Sequence, residues 1–131
     1  MAEPRRQPGL VRDRVLRLVE KAGRPIAGGE LSELMREEGL AVPSSMTFRA
    51  LRQLIDCGAI RKILLARGYA CSTTDPMIAL VCSRCGEVAE IACAETFDGL
   101  DRLAAAAGFA ASRQIVEVPG VCRDCAQREA V

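Results

Sequence analysis

Two stretches constrain this chain more than any other feature. LVCSRCGEVAEI (Leu80–Ile91) and VPGVCRDCAQ (Val118–Gln127) each hold two cysteines separated by two residues, and the chain contains no histidine. A structural zinc site takes four tetrahedral ligands, and two such knuckles supply four thiolates: Cys82, Cys85, Cys122 and Cys125. This pattern predicts one Zn2+ per chain with a structural role. Thirty-six residues separate the pairs, more than the roughly 15–20 of a zinc ribbon, so the segment between them must fold and return the second knuckle to the first. Gly86 follows one pair and Gly120 precedes the other, as tight turns require. Two other readings stand beside zinc. Inert core cysteines are one; the other is a redox dithiol, which needs one exposed CxxC at a helix N-terminus beside a strand. The elements expected here place neither pair in that position.

Composition narrows the setting. With 131 residues, 50% of them hydrophobic and 27% charged, the chain is globular in character and long enough for one ordinary or two small domains. Aromatic residues are scarce, so aliphatic side chains must build the core. No run approaches the roughly 20 apolar residues of a membrane span, and MAEPRRQPG lacks the apolar stretch of a secretory signal. Seven cysteines in such a chain point to a reducing, cytoplasmic location where CxxC pairs bind metal more often than they form disulfides. Serine, threonine or cysteine nucleophiles would lack their usual histidine base. Neither an enzyme nor a small-molecule substrate is expected.

Periodicity divides the chain. Val11, Val15, Leu18, Val19 and Ala22 recur at helical spacing up to Gly23. Leu31, Leu34 and Met35 mark a second helix ending near Gly39, and VPSS opens a third, with Ser44 or Ser45 as N-cap and a stripe of Phe48, Leu51, Leu54 and Ile55. AIRKILLARGYAC then reads as two strands around a turn at Ala66–Gly68. Three helices and a hairpin are the order of a winged helix-turn-helix. Beyond the polar STTDP linker come strands at MIALVC and EVAEIA, a helix from about Thr96 to Ala107 and a strand at RQIVEV. The fold class is α+β: a winged-helix domain over residues 1–71 and a small α/β domain with the zinc knuckle over 77–131.

Charge follows the same division. Residues 1–70 carry 13 Lys/Arg against 8 Asp/Glu, or +5, and residues 71–131 carry 5 against 9, or −4. A basic half suggests an anionic partner. On the third helix, Ser45, Arg49, Arg52 and Gln53 lie largely away from the apolar stripe, and Arg and Gln can reach phosphates and base edges in a major groove. Arg5, Arg6, Arg12, Arg14, Lys62 and Arg67 could add phosphate contacts. Double-stranded DNA is the expected partner. Cys57, Cys71 and Cys93 are single, and Cys57 reads as a small buried apolar residue.

These residues together resemble the ferric uptake regulator family, specifically its zinc uptake regulator branch, from about Gly9 to Cys125. SMTFRAL (Ser45–Leu51) is similar to the family's recognition helix, usually Pro-Thr-Val-Tyr-Arg-x-Leu; LIDCGAIRKI resembles the helix end and first wing strand; YAC, VCSRCGEVAEI and GVCRDC match the wing end and the two knuckles. The resemblance implies a homodimer whose N-terminal domain binds an A·T-rich palindromic operator and whose C-terminal domain dimerises around the four-cysteine zinc. It implies Phe48, Arg49 and their neighbours at the operator, and a second, regulatory metal that closes the two halves into a DNA-binding shape.

At the regulatory site the chain departs from the family. Zinc-sensing relatives combine two His with a Cys and a Glu. Cys71 and Glu90 stand at the matching positions, but Arg61 replaces a wing His and the linker His is lost within TTDPM. Asp75 and Cys93 are the remaining possible neighbours, so a degenerate sensor is expected, with Arg61 pairing with Glu90. Phe48 stands where the family has Tyr. A repressor is the leading expectation; a dimerising module without DNA binding and a thiol-redox regulator using Cys71 and Cys93 are the alternatives.

Overall fold

The computed structural model describes residues 9–111 and 114–129. The chain divides into two compact units, Met1–Ser72 and Thr73–Val131.

In the first unit α1 (Leu10–Ala22), α2 (Gly28–Glu37) and α3 (Ser44–Asp56) precede a hairpin of β1 (Ile60–Ile63) and β2 (Gly68–Cys71). Each helix buries one stripe: Val11, Val15, Leu18 and Val19 on α1, Leu31 and Met35 on α2, Thr47, Ala50, Leu51 and Leu54 on α3. The apolar ones among these side chains meet Ile26, Ile60 and Tyr69 in one core. Ile26 and Tyr69 exchange backbone hydrogen bonds of 3.0 and 2.8 Å, tying the α1–α2 connection to the outer edge of β2.

Four local expectations are corrected here. Phe48 is not part of the core stripe: it is 49% exposed, and the buried position beside it belongs to Thr47. A hydroxyl can be buried there because the Ser32 hydroxyl donates to Thr47 Oγ1 at 3.0 Å. The N-cap of α3 is Pro43, without a side-chain cap, and Ser44 is already helical. The hairpin turn is Leu64–Arg67 rather than Ala66–Gly68, because Ile63 pairs with Gly68. Arg67 closes that turn in the left-handed region at φ 51°, its N–H bonded to the Leu64 carbonyl at 3.1 Å. Cys57, expected to be buried, is exposed beyond the end of α3, and its thiol donates to the Leu54 carbonyl.

The second unit contains β3 (Met77–Cys82), β4 (Val88–Ala92), α4 (Ala94–Ala106), β5 (Val116–Gly120) and α5 (Arg123–Glu129). Its sheet has the order β4-β3-β5, with β3 antiparallel to β4 and parallel to β5. The crossover carrying α4 makes the parallel pairing possible. α4 starts two residues before Thr96, and β5 begins at Val116, later than RQIVEV suggests; Arg113 of that stretch lies outside the described residues. α5 was not expected at all. Among the described residues of this unit, buried apolar side chains are few: Ala79, Val81, Cys82 and Phe97. Among the described residues no helix is long and apolar enough to cross a membrane.

Candidate metal centre and nucleic-acid interface

The register of the second sheet builds the metal centre. β3 ends at Cys82, which pairs with Gly120 at the end of β5, so the second knuckle leaves its strand directly beside the first. The first knuckle is the β3–β4 turn. The Cys82 N–H bonds to the Glu87 carbonyl at 2.8 Å, the Gly86 N–H bonds back to the Cys82 carbonyl at 2.9 Å, and Gly86 takes φ 79°, which suits glycine. Ser83 ties the knuckles together: its N–H and hydroxyl both donate to the Gly120 carbonyl, at 2.8 and 3.0 Å. On the outer side Arg84 and Glu129 form an ion pair at 2.6 Å.

The sulfurs of Cys82, Cys85, Cys122 and Cys125 all lie within 4.8 Å of one another. Backbone N–H groups point at three of them: Cys122 N–H to Cys82 Sγ at 3.3 Å, Glu87 N–H to Cys85 Sγ at 3.4 Å, and Cys125 N–H to Cys122 Sγ at 3.5 Å. Such donors favour thiolates. Hydrogen bonds from the Cys122 and Cys85 backbone hold the Cys82 thiol down at about 6, whereas the neighbouring Cys122 thiol drives Cys125 up to about 12. Four thiols this close cannot all ionise unless a cation joins them. The set therefore fits Zn2+, which would take all four sulfurs and serve as a structural cross-link between the ends of β3 and β5.

The second knuckle departs from the expectation that neither pair sits at a helix start. Cys122 and Cys125 do lie at the start of a helix, α5, directly after a strand. What separates this pair from a dithiol switch is the presence of the other two sulfurs, which give it metal-ligand partners. α5 escaped the sequence reading because RDCAQRE has no apolar stripe.

α3 carries the other candidate site. With Thr47, Ala50, Leu51 and Leu54 facing inward, Ser45, Phe48, Arg49, Arg52 and Gln53 are all exposed. Arg67 is exposed at the hairpin turn, and Lys62 on β1 lies over the Tyr69 ring at 5.7 Å. Arg12 is exposed, but Arg14 is engaged by Glu38 at 2.6 Å. Arg5 and Arg6 lie outside the described residues. A neighbour that the sequence did not reveal is Gly28, the first residue of α2: a Cβ there would sit 2.6 Å from Phe48 Cε1 and 2.8 Å from Cζ. Its only sequence signal is a helix that opens on two glycines.

The expected sensor residues divide between the units. Arg61 and Cys71 belong to the first; Asp75, Glu90 and Cys93 belong to the second. Within the hairpin, Arg61 Nε donates to the Cys71 carbonyl at 3.3 Å. Burial raises the Cys71 thiol, Glu20 adds to that, and Arg61 opposes it. Asp75 is exposed, and its carbonyl accepts from the Thr73 hydroxyl at 2.7 Å. Glu90 is half-buried on β4 opposite Ala79. Cys93 caps the N-terminus of α4, where the Thr96 hydroxyl donates to its sulfur at 3.1 Å and lowers its pKa.

No protein-family model matches the chain. The chain is 30% identical over 121 residues to the zinc uptake regulation protein of Escherichia coli (strain K12), which spans 88% of this chain and 71% of that protein, and equally so to that of Shigella flexneri. Among solved structures, a zinc uptake regulator complexed with zinc and DNA superposes with a TM-score of 0.79 at 29% identity, covering 93% of this chain and 85% of that one. The ferric uptake regulator of Francisella tularensis with iron gives a TM-score of 0.75 over 96% of this chain and 98% of that one; at 15% identity it supports the fold alone.

Proposed function

Because the chain belongs to the ferric uptake regulator family, on its zinc uptake regulator side, we propose that it is a DNA-binding transcriptional repressor, held together by structural zinc and acting as a cytoplasmic homodimer. One observation carries the reading. α3 packs its inner stripe and leaves Ser45, Phe48, Arg49, Arg52 and Gln53 together on an exposed face of the basic half. Arg49 and Gln53 are suited to base edges, Arg52 and Arg67 to phosphates, and Phe48 to the methyl of thymine. The similar zinc uptake regulator, solved in complex with zinc and DNA, supports the DNA-binding reading.

Zinc bound by Cys82, Cys85, Cys122 and Cys125 supplies folding energy to a unit that buries few side chains. Apolar groups left open on that unit, Ile91, Leu100, Leu103 and Val118 among them, supply the surface of a homodimer. The regulatory site is weaker. Arg61 replaces a ligand with a permanent cation that has no lone pair to offer a metal. Cys71 and Glu90, with Asp75 and Cys93, are what is left of the sensor residues. A surface ion pair made by such a cation contributes about 0–1 kcal/mol, whereas a ligand-driven swing from 1:99 to 99:1 takes about 5.5 kcal/mol. The equilibrium is biased, not switched.

Selection of binding sites from random duplex DNA, followed by affinity measurements at several salt concentrations, tests the reading. A palindromic, A·T-rich site bound with a steep salt dependence is the expected result. A folded, zinc-containing dimer that selects no sequence would point instead to the dimerising module.

A further inference from the structure

The contact between Gly28 and Phe48 carries a consequence for how DNA sequence is read. Gly28 opens the helix α2 with no positive φ, so nothing in the backbone calls for glycine. What calls for it is the Phe48 ring. Cε1 and Cζ rest where a Cβ at position 28 would come within 2.6 and 2.8 Å, far inside van der Waals contact. Cζ is also the atom that would carry the hydroxyl of a tyrosine. The ring tip thus lies against the first turn of α2, while the side chain as a whole remains 49% exposed on the outer face of α3. An aromatic ring held this way offers apolar surface and no hydrogen-bond donor.

We propose that Gly28 is a positioning residue for sequence readout: lacking a Cβ, it seats the Phe48 ring on α2 and fixes it to read the 5-methyl group of thymine. The inference rests on the DNA-binding reading above and adds to it the residue that positions the ring. In the major groove the methyl distinguishes thymine through apolar contact alone. Burial of one methyl corresponds to about a fourfold change in affinity.

The test replaces each thymine of the selected site with uracil in turn and measures affinity with zinc-containing protein at fixed salt. The wild-type chain should lose about fourfold at one thymine per half-site and little elsewhere. Gly28→Ala should erase that penalty while keeping zinc content and salt dependence. In the Phe48→Leu background, where no Cζ opposes the new methyl, Gly28→Ala should change neither affinity nor uracil sensitivity. That is the result a purely structural glycine would not give. If Gly28→Ala alone folds poorly, recovery of the fold in the double variant identifies the ring as the steric partner. Phe48→Ala must then abolish the uracil penalty on its own. A Gly28→Ala protein that keeps the full penalty, or one equally impaired with Leu at 48, overturns the proposal. Indifference to uracil at every position of a tightly bound site overturns it while leaving DNA binding intact; failure to select any site overturns the underlying reading as well.

Discussion

Cys85 Sγ and Cys122 Sγ stand 3.7 Å apart, although 37 positions separate them in the chain. Four sulfurs about 2.3 Å from a tetrahedral zinc would be spaced by about 3.8 Å. The parallel pairing of β3 with β5 sets that spacing, by placing Gly120 opposite Cys82.

Replacing Cys82, Cys85, Cys122 or Cys125 by Ser should therefore release about one zinc per chain and unfold the second unit, since metal binding is folding energy in such sites. Elemental analysis and circular dichroism of the four variants check this. A folded dimer free of zinc would contradict it.

Arg49→Ala should weaken binding to the selected site by about 1–3 kcal/mol if the guanidinium reads a base edge, and should relax specificity at that base. Arg67→Ala, at the hairpin turn, should act alike on all sequences and reduce the salt slope by about one. Fluorescence anisotropy on specific and scrambled duplexes separates the two effects.

Gly68 makes a second close approach. A Cβ there would fall 2.9 Å from Pro25 Cβ and 3.0 Å from the Ile26 backbone nitrogen, where β2 meets the α1–α2 connection. Gly68→Ala should destabilise the first unit by about 1–3 kcal/mol, as overpacking does. Chemical denaturation reports the loss.

Cys93 and Cys71 should differ in reactivity. The Thr96 hydroxyl lowers the Cys93 pKa and burial raises that of Cys71. At neutral pH more of Cys93 is thiolate, and the thiolate is the nucleophile. Cys93 should alkylate first, and Thr96→Ala should slow it by raising its pKa. Mass spectrometry after a timed iodoacetamide pulse measures both rates.

How much of this was legible in the sequence depends on what each residue answers to. The stripes of α1 and α2 could be read directly, because Val11, Val15, Leu18, Leu31 and Met35 are apolar and buried. The four thiols were legible as a set, since CxxC spacing is itself a coordination geometry. Phe48 misled the reading of α3: its apolar type suits a core, but the Ser32 hydroxyl lets Thr47 be buried instead. α5 has no apolar face and is tied by the Arg84–Glu129 pair, a tertiary contact that no local period encodes. Gly28 was out of reach, because its role depends on a ring 20 positions away resting on α2.

The most direct test of the whole account is a zinc titration of the operator complex. Protein carrying its one structural zinc per chain is mixed with the selected duplex, and affinity is followed as zinc is added. With Arg61 where a ligand is required, affinity should stay nearly constant, Arg61→Ala should lower it, and Arg61→His should introduce a zinc response. A second tightly bound zinc per chain that strengthens operator binding in the wild-type protein would contradict the account.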